Sequence, residues 1–175
     1  VLAAAVDGPG LERAYVNNGG DIALYLAPGA QLDAGIVERL DRPAIGARVR
    51  IAAALPVRGL ATSGWRGRSH SLGIADAVTV LARTAAAADV AATLIANAVD
   101  VAHPAVRRSP ARELDPDSDL GALPVTVAVG ELPPEAVAAA LASGACRAEA
   151  MRRAGLIHAA YLSLAGRFDT VGALP

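Results

Sequence analysis

Residues 77–99 read AVTVLARTAAAADVAATLIANAV, and a change of period inside them decides the fold class. Ala77 to Leu81 is a short run of β-branched and aliphatic residues, the composition of a buried strand. From Thr84 to Val99 helix formers follow without a break, and Thr84 stands where an N-cap hydroxyl is wanted. Working outward, Ala14 to Val16, Ile22 to Leu26, Val49 to Leu55, Val57 to Ala61 and Val125 to Val129 also read as strands. Leu132-Pro133-Pro134-Glu135 places prolines at the head of a helix; Val137 to Ala154 continues it as one helix or as two parted near Ser143-Gly144. Leu156 to Ala165 reads as a terminal strand in preference to a helix. Arg107 to Asp119, rich in charge and proline, reads as a surface loop. Strands alternating with a few helices make an α+β (mixed α/β) domain.

The 175 residues suffice for one domain with a core that needs no disulfide or metal. Hydrophobic residues make up 54% but aromatics only 3%, so the core must be built from closely packed aliphatics. Sixteen basic residues against seventeen acidic ones leave a net charge of −1, which disfavours a nucleic-acid or membrane-surface binder. All the basic residues are arginine, and the absence of lysine excludes Schiff-base catalysis and a P-loop lysine. The single Cys146 excludes an internal disulfide and a cysteine-rich zinc site, and His103 and His158 have no neighbours that complete a metal set. The most apolar stretch, Thr84 to Ala102, is interrupted by Asp89 and Asp100, whereas a membrane helix needs about 20 apolar residues. A soluble, cytoplasmic protein is expected, and an exposed alanine-rich face would suit a homodimer. Val1 to Val6 reads as the end of a helix already under way, before a turn at Asp7-Gly8-Pro9-Gly10, so a longer domain is expected to begin upstream.

Three clusters concentrate polar and conformationally special residues. In the first, Asn17-Asn18-Gly19-Gly20-Asp21, paired glycines allow a backbone to approach a phosphate or cation, or simply turn a hairpin. The second, Thr62 to Ser71, offers the hydroxyls of Thr62, Ser63 and Ser69, the forks of Arg66 and Arg68, and His70. Guanidinium matches phosphate and carboxylate bidentately, and a solvated loop is the plain alternative. Trp65 is either a plug beneath that loop or a surface on which a planar ring stacks. In the third, Asp89 and Thr93 are four apart and share one helix face, so a carboxylate and a hydroxyl could hold a hard cation such as Mg²⁺.

In this order the clusters resemble the ApbE-like superfamily, whose best-known members are Mg²⁺-dependent FAD:protein FMN transferases. The resemblance is carried by Gly19-Gly20-Asp21, Thr62-Ser63-Gly64, Ser69-His70, Val78-Thr79-Val80 and the Asp89/Thr93 pair. It covers roughly residues 14 to 99, and the wording YVNNGGDIAL, ATSGWRGRSHSLGIADAVTVLA and ADVAATLIANAVD is closer to another branch of that superfamily than to the transferases. It implies a single domain over 1–175 that is the C-terminal part of a longer family domain. It further implies FAD or FMN near Asn18, Gly19, Gly20, Asp21, Thr62, Ser63, Gly64, Arg66 and Arg68. Mg²⁺ would sit on Asp89 and Thr93, and Ser69 and His70 would act in catalysis.

The chain departs from the transferases after His70, where Ser71-Leu72-Gly73-Ile74-Ala75-Asp76 is short and lacks their proline turn. Two functions therefore stand side by side. One is a Mg²⁺-dependent enzyme acting on a flavin nucleotide or related phosphorylated small molecule, by FMN transfer or pyrophosphate hydrolysis. The other is a non-catalytic flavin- or phosphate-ligand-binding protein on the same scaffold.

Overall fold

The computed structural model of the chain describes residues 10–37 and 45–174. The helix end expected at Val1 to Val6 and the turn residues Asp7 to Pro9 lie outside them. In chain order the elements are β1 (Arg13–Asn18), β2 (Asp21–Leu26), β3 (Gln31–Val37), β4 (Ile45–Ala52), β5 (Gly59–Ser63) and β6 (Ala77–Ala82). Then come α1 (Ala85–Ala98), β7 (Val106–Pro110), α2 (Ala111–Leu114), β8 (Pro124–Val129), α3 (Pro134–Arg153), β9 (Ala159–Leu164) and β10 (Arg167–Val171). The mixture of sheet and helix is that of an α+β domain.

The main sheet is antiparallel throughout, in the order β1-β2-β5-β6-β9-β10. Its central strands β6 and β9 are buried along their whole length, as expected where both sheet faces are covered. Strand alternation sorts their side chains between two cores. Val78, Val80 and Ala82 join the larger core with α1 and α3. Leu81 joins Leu24, Leu26 and Leu60 on the other face, where Val49 and Ile51 of the β3–β4 hairpin close a smaller core.

Helix α1 seats on the sheet through small side chains. Ala88, Ala91, Ala92, Ile95 and Ala96 form its buried stripe at helical spacing, and the Thr84 hydroxyl accepts the Ala87 N–H at 3.1 Å as its N-cap. Gly59 lets the start of the helix come down on β5: a Cβ there would lie 2.1 Å from the Thr84 carbonyl carbon. Asp89 and Thr93 are left on the exposed face.

Of the two forms open for α3, the structure has the single helix, unbroken through Ser143-Gly144, because Gly144 serves close packing: a Cβ on it would meet Val99 Cγ2 at 2.2 Å and Leu162 Cδ2 at 2.8 Å. Other expectations need correction. The segment expected as a loop from Arg107 contains most of β7 and all of α2; β7 is paired with β8 across a bulge at Arg107/Arg108. Strand β9 is not terminal, since β10 returns beside it through Ala165-Gly166, both with positive φ. Strand β3 was not anticipated, and β4 begins at Ile45, ahead of the expected Val49.

Candidate functional site

At one end of the main sheet, the β1–β2 turn, the end of β5, the start of β6 and the exposed face of α1 surround a cleft of about 630 Å³. Each of the three polar clusters contributes to its wall. Gly19, Gly20 and Asp21 come from the first, Thr62, Ser63, Gly64, Arg66, Arg68 and Ser69 from the second, and Asp89 and Thr93 from the third. Asn18 and His70 are not part of that wall; its asparagine is Asn17, and the β3 residues Gly35 and Val37 line it from the hairpin side.

The glycine pair turns a two-residue hairpin with Asn18 opposite Asp21, so the hairpin reading of Gly19-Gly20 holds alongside its place in the cleft. Gly19 has φ +68° and Gly20 φ +117°, the positive values that such a turn demands and that side-chain-bearing residues resist. Asn17 Oδ1 accepts the Gly20 N–H at 3.0 Å and fixes the turn. Asp21, at the start of β2, therefore stands at a defined height in the cleft. Burial pushes the Asp21 carboxyl above its ordinary value, and the negative charge of Asp89 pushes it further in the same direction. Among the described residues no donor reaches either carboxylate to offset this.

The second cluster is anchored, not a freely solvated loop. Thr62 and Ser63 end β5, and the Thr62 hydroxyl is 2.8 Å from that of Thr79 on β6. Arg66 Nε donates to Asp76 Oδ1 at 2.6 Å, and its guanidinium carbon lies 4.3 Å from the centre of the Trp65 ring. Trp65 Nε1 donates to the same oxygen at 3.3 Å, so one face of the indole is already covered and its N–H is engaged. The other oxygen of Asp76 accepts the Ala165 N–H at 2.7 Å. Downstream, the Ser71 hydroxyl and the Leu72 N–H both donate to Asn97 Oδ1, which stitches the segment after His70 to the end of α1.

Asp76, which the resemblance offers only as a partial substitute for the acid of the transferases' turn, lines the cleft and gathers three donors. The available signal was an acid set in the otherwise apolar run Ile74-Ala75-Asp76-Ala77-Val78, where a carboxylate must find donors.

A family model described as AbpE bacteria matches residues 1–170. The chain belongs to that family. No curated protein matches this AbpE chain. Its described helices include none long and apolar enough to cross a membrane.

The chemistry open to the AbpE cleft is set by its donors. Among the described residues no three His, Cys, Asp or Glu side chains cluster to hold a metal by themselves. Asp21, Asp89 and Thr93 nonetheless line the cleft together and offer oxygen atoms alone, the donor type that hard divalent cations take.

Proposed function

We propose that the cleft binds a phosphorylated small molecule together with a divalent cation, and that in the ApbE-like reading the molecule is a flavin nucleotide, FAD or FMN, and the cation Mg²⁺. The observation that carries this reading is the presence in one cleft of Asp21, Asp89 and Thr93 beside the Gly19-Gly20 turn and the Ser63 and Arg68 side chains. Asp21, Asp89 and Thr93 would hold the cation, which when bound neutralises and polarises a pyrophosphate. The Ser63 hydroxyl and an arginine fork would donate to phosphate oxygens. Relief of the repulsion that raises Asp21 would add to the affinity for the cation.

Binding without transfer is the form proposed first, because the segment after His70 is short and lacks the proline turn of the transferases. Titration of FAD into the protein with and without Mg²⁺, followed by assay for released AMP, tests both forms. Mg²⁺-dependent binding without AMP is the expected result, and AMP release abolished in Asp89→Asn would establish the enzyme instead. Absence of any Mg²⁺-dependent flavin binding would overturn the flavin reading.

A further inference from the structure

The two arginines of the cleft, Arg66 and Arg68, are two residues apart but stand in different electrostatic circumstances. The Arg66 guanidinium is balanced by the Asp76 carboxylate and lies against Trp65, with only 27% of its side chain exposed. Its Nε donor is used, and its charge is matched one for one. Arg68 is exposed, and among the described residues no carboxylate pairs with it. It lies over the glycine turn: a Cβ built on Gly19 would be 3.6 Å from Arg68 Nη1. A cation matched by a fixed carboxylate attracts an incoming anion weakly, whereas an unmatched fork keeps both its charge and its paired donors for one.

We infer that Arg68, and not Arg66, is the anion-recognition residue of the cleft, and that the group it reads is a phosphate or pyrophosphate. The carboxylates Asp21 and Asp89 share the same cleft and repel any anion that arrives without a cation, so the recognised species is the metal complex of the anion. Arg66 belongs to the frame: with Trp65 and Asp76 it fixes the loop from which Arg68 projects. The inference rests on the reading that the cleft takes a phosphorylated ligand.

Calorimetric titration of inorganic pyrophosphate into the full chain, with and without Mg²⁺, separates the two ideas. Wild-type protein, Arg68→Ala, Arg68→Lys and Arg66→Lys are compared, and the melting temperature of each is recorded so that binding is read on folded protein. The expected result is Mg²⁺-dependent binding by the wild type, weakened about tenfold to a hundredfold in Arg68→Ala, the scale of lost charge-assisted hydrogen bonds. Arg68→Lys should recover part of the loss, and Arg66→Lys should bind as the wild type does while melting lower. Unchanged affinity in Arg68→Ala, or a loss confined to Arg66→Lys, overturns the inference and leaves the phosphorylated-ligand reading standing. A wild type that takes no pyrophosphate under either condition overturns both.

Discussion

Asp76 and the Asp21/Asp89 pair line the same cleft and are treated by the fold in opposite ways. Asp76 accepts from Trp65, Arg66 and the Ala165 backbone, so each of its oxygens has a donor. Asp21 is partly desolvated beside another negative charge, and its pKa is raised as a result. A carboxylate satisfied by donors ties three segments together and stabilises the fold. One that faces a like charge does the reverse, and under the proposed function a bound cation would offset that cost.

Asp76→Ala sharpens this contrast with the largest expected effect. It removes the acceptor of the Trp65 and Ala165 N–H groups and leaves Arg66 unpaired, which should cost about 2 kcal/mol in urea denaturation, the scale of hydrogen bonds to a charged group. A loss within error of zero would show that the clamp holds nothing.

Asp89→Asn should act in the other direction and more weakly. The Asp21 carboxyl should titrate lower by NMR but stay above its ordinary value of 3.8, because burial is the larger cause. A raised pKa means that the folded state holds the proton more tightly than the unfolded chain. The stabilisation from protonated Asp21 is therefore complete below 3.8 and lost as pH rises through the folded value. Without metal, the variant should be slightly more stable than wild type at neutral pH, and the gap should close in acid. A variant that is less stable at neutral pH would break the contrast.

The smallest effect belongs to a third kind of carboxylate. Glu149 on α3 accepts from Arg152 at 2.7 Å and from Arg153 at 2.8 Å, and these hydrogen bonds lower its pKa from 4.5 to about 2. Its contribution is complete above 4.5 and lost as pH falls through about 2. Glu149→Gln should melt marginally lower than wild type at neutral pH, with the difference fading towards pH 2, since exposed pairs are well screened.

The same contrast explains what could be read from sequence. Strand β6 and helix α1 were legible because each keeps one hydrophobic period and Thr84 marks the boundary. Strand β7 was not, because Arg107-Arg108-Ser109-Pro110 carries no apolar alternation and gains its ladder only from β8. Whether α3 is one helix or two stays open in the sequence, because Gly144 reads equally as a helix breaker and as the point of close approach that it is. In the cleft, the Asp89/Thr93 pair followed from helical spacing alone. The role of Asp76 did not, since its partners lie 10 and 11 residues before it and 89 residues after it.

Every strand of the main sheet lies beside the strand that precedes it there, so the β3–β4 hairpin and the stretch from α1 to α3 are excursions spliced into a simple meander. Topologically either could be shortened without changing which strand neighbours which. Energetically they are not dispensable: β4 brings Val49 and Ile51 to one face, and α1 with α3 roofs the other. Evolutionary change in length should therefore gather at the tips of these excursions, while their roots stay fixed by what they cover.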